Sequence, residues 1–283
     1  MRKEIKLLTP PDYHFETIKQ QSKVDPTKPM GEIPVALSLG SNEYSGSSQW
    51  NNTFTYGEFS CIVAGSKMKK SFLRSALIAS FIGGSASNYF PNMKTHRKSN
   101  KDIVIDIDTE QGKLYAHRVF KRVDDMVGSH YEEYDTYSIS HLNGKEMMKY
   151  VEDLLEEPYA KGKVKWLAID GIADFMDNTN DITEAKSVIE TLMRWRRIYD
   201  MHINVVIHKN RQSDDATGHL GSFIEKKSET IINILPTETE EQNRQWNDPM
   251  KVVCRMSRGG HFEPFYFNVN EQGIPYEVEQ PRF

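Results

Sequence analysis

Lys70 and Ser71 close an eight-residue turn, Ala64-Gly65-Ser66-Lys67-Met68-Lys69-Lys70-Ser71, between a β-prone run and a segment of helical periodicity. Backbone N–H groups of such a turn, with the positive end of the helix that follows, make a cradle for phosphate. A lysine there adds a point charge at the outer phosphates, and the adjacent hydroxyl suits a Mg²⁺ ligand position. The closing Lys-[Ser/Thr] pair of a phosphate-binding loop is present, but its two glycine positions hold Ala64 and Lys69. Side chains at those positions restrict backbone that glycine leaves free. The rest of the chain has to decide the reading.

Three further groups stand where such chemistry needs them. Ile103–Ile107 reads as a strand and runs into Asp108-Thr109-Glu110, Val164–Ile169 ends at Asp170, and Ile203–Ile207 ends at His208. In an open parallel sheet, ligands sit beyond the carboxyl ends of the strands. Each group has an ordinary structural reading: a capping aspartate, a solvated helix start, a turn glutamate, a satisfied core histidine. Their succession on consecutive strands weighs against four separate coincidences. Hydrolysis of ATP needs its phosphates held, their charge neutralised and a base for the attacking water. Lys70 suits neutralisation, and Ser71 and Asp170 suit Mg²⁺, the aspartate through water. Glu110 suits the general base, and His208 a sensor of the terminal phosphate.

The elements that must position these residues follow from periodicity. Phe59–Val63 is β-prone, and Lys70–Ile82 carries Phe72, Leu73, Ala76, Leu77 and Ile82 at helical spacing until Gly83-Gly84 stop it. Helices are predicted over 113–126, 144–155, 183–199 and near Phe223. Strands are predicted over 134–139, 230–235, 250–256, 262–269 and 274–278, the last three joined as hairpins. The fold class is therefore α/β: a central, mostly parallel sheet flanked by helices, extended by antiparallel C-terminal strands. Residues 1–55, with Pro10-Pro11, Pro26, Pro29, Pro34 and a Gly/Ser-rich stretch at 40–48, read as an extended lead-in that wraps the core or reaches a neighbouring subunit. Residues 56–283 form the main domain.

At 283 residues the chain is long enough for one large α/β domain, and 38% hydrophobic with 27% charged residues describes a globular protein with a good core. The net charge of −4 argues against a histone-like basic binder. Cys61 and Cys254, both within apolar runs, read as buried free thiols in a reducing cytoplasm. No apolar run approaches a membrane span of about 18 residues, and the N-terminus has no signal-peptide core, so a cytoplasmic protein is expected. The cluster Lys94, His96, Arg97, Lys98 and Lys101 reads as a solvated insertion, with contact to nucleic acid or a partner as the alternative.

The loop at 64–71, Ile-Asp-Thr-Glu at 107–110, Leu-Ala-Ile-Asp-Gly at 167–171, Asp-Asn-Thr-Asn-Asp at 177–181, and Val-Val-Ile-His at 205–208 leading to 218–222 together resemble a RecA-like P-loop motor ATPase. Within that fold the set is most similar to RepA-like hexameric replicative helicases of plasmids, phages and mobile elements. The resemblance implies ATP and Mg²⁺ as cofactors and single-stranded DNA as partner, met in a central channel by the loops at 173–181 and 209–221. Lys209, Asn210, Arg211 and Gln212 are the implied DNA contacts. It also implies self-association, with an arginine finger on a late hairpin; Arg258 matches best and Arg255 is the substitute, while Met256 stands where related motors carry a lysine. The leading expectation is a ring-forming helicase. The alternatives are a filament-forming recombinase or recombination mediator, and a nucleotide-binding regulator or scaffold with weak hydrolysis.

Overall fold

The computed structural model describes residues 14–29, 31–44, 47–210, 215–237 and 245–281. The chain divides into two units, 1–33 and 34–283. Among the described residues of the first, α1 (Phe15–Ser22) is the regular element, with Phe15 and Ile18 exposed. The second unit opens with β1 (Val35–Leu39), β2 (Ser41–Tyr44), β3 (Ser47–Trp50) and β4 (Phe54–Thr55). It continues through β5 (Phe59–Ala64), α2 (Lys70–Ile82), β6 (Met93–Thr95), β7 (Ile103–Asp108), α3 (Lys113–Val127) and β8 (Tyr134–Ser138). Then come α4 (Gly144–Glu156), β9 (Val164–Asp170), α5 (Ile182–Ile198), β10 (His202–His208), α6 (Gly218–Lys227), β11 (Thr230–Pro236), β12 (Met250–Ser257), β13 (Phe265–Val269) and β14 (Pro275–Val278).

Among the described residues, nine strands form the central sheet in the order β14-β13-β12-β11-β5-β10-β9-β7-β8. The six from β11 to β8 are parallel, and β12, β13 and β14 add on antiparallel. This is the α/β arrangement that the alternation of strand and helix signals predicts. Side chains alternate across each strand. Ile62 and Ala64 of β5 face one core with α2 and α3, while Cys61 and Val63 face the other with α4, α5 and α6. Burial on both faces explains the near-continuous apolar runs of these strands.

Residues 34–55 fold with this unit. β1 pairs antiparallel with β4 and β6, and Ala36, Leu37, Leu39 and Phe54 are buried in the α2-side core. Inside the basic cluster, Arg97 donates to the Ile82 and Ser99 carbonyls and to the Tyr131 hydroxyl, and the His96 ring lies 2.9 Å from Ser38 Oγ. Those two side chains hold the insertion down rather than reach into solvent. Both cysteines are free; Cys61 is buried, whereas Cys254 is only half-buried, on the part of β12 beyond its pairing with β13 over Met250–Val252. No helix among the described residues is long and apolar enough to cross a membrane.

His202 opens β10 at the end of the sheet away from the candidate site. Its Nδ1 lies 2.9 Å from the Thr55 carbonyl, which can only accept, so Nδ1 carries the proton and Nε2 accepts from Ser60 Oγ. Burial pushes the ring down to about 4. The folded state thus resists a proton that the unfolded chain takes up near 6.5, so stability is lost as pH falls from about 6.5 to 4. This group alone should cost about 2 kcal/mol between pH 7.5 and 5. Urea denaturation of wild type and His202→Gln at both pH values isolates it: the variant should show the smaller loss, and equal losses would refute the assignment.

Candidate functional site

Register brings the sequence-predicted residues to one edge of the sheet. His208 at the end of β10 pairs with Ala64 at the end of β5, and Asp108 of β7 pairs with Asp170 of β9. The neighbour order β5-β10-β9-β7 then sets the phosphate loop, His208, Asp170 and Glu110 side by side. A cavity of about 270 Å³ runs between loop residues 67–72 and Glu110, Gln111, Asp170 and Trp246. A larger cleft of about 400 Å³ beside α3, β8 and α4 has no carboxylate in its lining to serve as a base.

The loop has the form its missing glycines put in question. Ala64 is the last residue of β5, in extended backbone where glycine is not needed. Lys69 takes the left-handed conformation, φ +55° and ψ +27°, and is the N-cap of α2. Among the described residues no side chain caps that helix. Its first N–H groups, which no intrahelical carbonyl can reach, are thereby left for an anion. Lys70 Nζ donates to Gly65 O at 3.0 Å and lies 3.2 Å from His208 Nδ1. Burial lowers the affinity of this amine for its proton, and the Asp170 and Glu110 carboxylates work against that.

Lys69 does not join Lys70. It is buried, and its amine donates to the Asp248 carbonyl at 2.8 Å and to Asn268 Oδ1 at 3.2 Å, 5.4 Å from the centre of the Trp246 ring. Glu110 Oε1 lies 3.6 Å from His208 Nε2, and this contact holds its carboxyl below the usual range. A turn built on Asp108 presents Glu110: Asp108 Oδ1 accepts from the N–H groups of Glu110 and Gln111, and Oδ2 from the Gln111 amide.

Asp170 is held from behind by a buried guanidinium. Arg74 Nη1 lies 3.1 Å from Asp106 Oδ1 and donates to the Ile107 carbonyl at 3.0 Å, while Nη2 lies 3.7 Å from Asp170 Oδ2. Burial opposes the Arg74 charge, but Asp106, Asp170 and Asp108 outweigh it and the group stays firmly protonated. Asp106, also buried and hydrogen-bonded by Tyr134, is pushed up to about 6 by burial. Ser71 lines the same cavity as Asp170. A hydroxyl and a single carboxylate opposite a phosphate cradle fit Mg²⁺, which takes few protein ligands besides phosphate and water.

Other expected residues lie elsewhere. Arg258 follows the end of β12, where Ser257 pairs with Thr230 and Thr230 with Ser60 at the start of β5. That is the opposite end of the sheet from this chain's own phosphate loop. Its side chain is 56% exposed, near Glu58 and the Lys227 carbonyl. Arg255 is tied to Asp215 and Glu225 of its own chain. Lys209 follows His208 directly and its N–H donates to the Ala64 carbonyl; the Asn210 N–H donates to the Asp215 carbonyl. Arg211 and Gln212 lie outside the described residues.

The sequence reading did not assign roles to Arg74, Asp108 or Trp246. Arg74 was signalled by a charge four residues after Lys70 in an otherwise apolar helix segment. Asp108 stood beside Glu110 in the same turn. Nothing local marked Trp246.

No protein-family model and no curated protein matches the sequence. Solved structures do. The chain is similar to the ATPase domain of G40P, at 13% identity over 78% of this chain and 85% of that one, with a TM-score of 0.56. It is also similar to the RadB recombinase, at 14% identity over 80% and 93%, with a TM-score of 0.52. The likeness is one of fold: the RecA-like α/β arrangement that these structures share with this chain.

Removing one partner of the buried ion cluster should be costly, because the carboxylates left behind lose their counter-charge. Arg74→Met is expected to destabilise by about 3–5 kcal/mol. Arg74→Met with Asp106→Leu should lose less than the sum of the single variants, a coupling that urea denaturation of the three proteins would measure.

Proposed function

We propose that the chain hydrolyses ATP to move along single-stranded DNA as a self-associated ring, with strand separation as its output. The observation that carries this reading is the convergence of phosphate loop, Asp170, Glu110 and His208 on one edge of a RecA-like sheet. Lys70 now rests on Gly65 O and His208, contacts that a phosphate oxygen can replace. Ser71 and, through water, Asp170 would hold Mg²⁺, which would supply charge neutralisation to the phosphates. Glu110, kept ionised at neutral pH by His208, takes a proton from the attacking water. His208, touching both Lys70 and Glu110, registers whether the terminal phosphate is present.

Arg258 supports dependence on assembly. It lies too far along the sheet to serve this chain's own site, and it is exposed where a neighbouring copy can be met. A guanidinium supplied from the next subunit stabilises transition-state charge only in the assembled form. Lys209 and Asn210, at the start of the loop after β10, are the proposed DNA contacts together with Arg211 and Gln212. A recombinase that forms filaments on DNA is the second reading, favoured by the likeness to the RadB recombinase. Rings or filaments in electron micrographs with an ATP analogue and DNA distinguish the two.

An ATPase assay with and without single-stranded DNA tests the core of the proposal. Glu110→Gln and Lys70→Ala should each lower turnover at least ~100-fold while leaving the circular-dichroism spectrum unchanged. Turnover that is absent in wild type, or unaffected in both variants, would sink the reading. Arg258→Ala subunits should bind ATP without turnover and regain activity when mixed with Lys70→Ala subunits. No recovery would refute donation across subunits.

A further inference from the structure

The cavity beside the phosphate loop has one wall that phosphate chemistry does not explain. Trp246 is 64% exposed, whereas Trp166 and Trp195 are buried in the core. Its ring is fixed on two sides. Phe72, two residues past Lys70, meets it edge-on with centroids 5.7 Å apart, and the Lys69 ammonium lies 5.4 Å from its centre. Lys69 also donates to the carbonyl of Asp248, two residues on from the tryptophan, and to Asn268 Oδ1. Asn268 in turn donates its amide to the Asn247 carbonyl. The segment closes on itself through Asp248 N–H to the Gln245 carbonyl. The ammonium has three protons; two go to oxygens and the ring face takes the remaining charge.

We propose that Lys69 is a positioning residue rather than a phosphate ligand: it clamps Trp246 in place as the wall against which the base of the bound nucleotide stacks. The reading rests on the nucleotide site described under Proposed function and adds the base subsite to it. Three observations carry it. The Lys69 side chain is buried, and its amine gives two of its three protons to protein oxygens and faces the ring on the Trp246 side of the loop. Trp246 borders the cavity that also contains Lys70, Ser71 and Asp170, so its exposed ring adjoins the place where the phosphates would lie. A flat aromatic face offers stacking without hydrogen-bond discrimination, which suits a planar nucleobase.

Calorimetric binding of Mg-ATP and of Mg-tripolyphosphate, in a Glu110→Gln background that prevents turnover, tests this. Tripolyphosphate keeps the phosphate contacts and lacks the base. Trp246→Ala should weaken ATP about ten-fold and leave tripolyphosphate within about two-fold. Trp246→Phe should retain most of the ATP affinity. Lys69→Met should reproduce the selective loss of Trp246→Ala, and the two together should lose little more than either alone. The quench of tryptophan fluorescence on ATP addition should disappear in Trp246→Phe. Equal weakening of both ligands by Lys69→Met would make Lys69 a phosphate ligand and overturn the inference, as would unchanged ATP affinity in Trp246→Ala. Because Trp246 is exposed, its replacement tests the base wall even if Lys69→Met does not fold. A parent protein that binds neither ligand would overturn the nucleotide site itself, an outcome distinct from failure of the clamp.

Discussion

A single buried guanidinium ties α2, the helix that opens beside the candidate site, to the strands that carry the acidic groups. Arg74 of α2 reaches Asp106 and the Ile107 carbonyl on β7 and approaches Asp170 on β9. The helix that opens at the phosphate loop is therefore fixed to two strands of the sheet by charge as well as by apolar packing. In stability alone such a cluster is replaceable, since well-packed apolar residues often serve as well as a buried ion pair. Apolar residues cannot present a carboxylate in a fixed direction. The Arg74 guanidinium lies behind Asp170, 3.7 Å from its Oδ2, and so fixes where that carboxylate sits at the end of its strand.

The strand ends were legible because two simple rules coincide there. Apolar runs of about six residues mark strands buried on both faces, and the first polar residue marks where the strand leaves the core. Asp170 and His208 close such runs, and β9 and β10 end on them. The segment over 34–55 was not legible for the converse reason. β1 and β4 are short, interrupted by polar loops, and β1 also pairs with β6 more than fifty residues away. Burial of Phe54 and Leu37 depends on those distant partners. Arg97 misled for a similar reason: its charge suggested solvent, whereas the Ile82 carbonyl and Tyr131 hold it against the fold.

Lys69 shows what the sequence rule for a phosphate loop encodes. The rule asks for glycine, but the physical requirements are a left-handed residue at the helix start and room for the ligand. Ala64, extended and paired with His208, never needs glycine's freedom. Lys69 does adopt the left-handed form, at a cost of roughly 1–2 kcal/mol for a residue with a Cβ. Two charge-assisted hydrogen bonds, each worth roughly 1.5–3 kcal/mol, offset that cost. Its partners, Asp248 and Asn268, are 179 and 199 residues away in sequence. No reading of the loop by itself could have supplied them.

The exchange of glycine for lysine therefore changes the loop's mechanics while keeping its shape. A glycine at the helix start is free to leave the left-handed region whenever the site is empty. A lysine anchored to the Asp248 carbonyl and to Asn268 of β13 must break those bonds before the loop can rearrange. The antiparallel extension of the sheet thus takes part in shaping the proposed nucleotide site, although it contributes none of the acidic groups named there. That dependence explains how a loop lacking both expected glycines can still present an open, uncapped helix end beside Asp170.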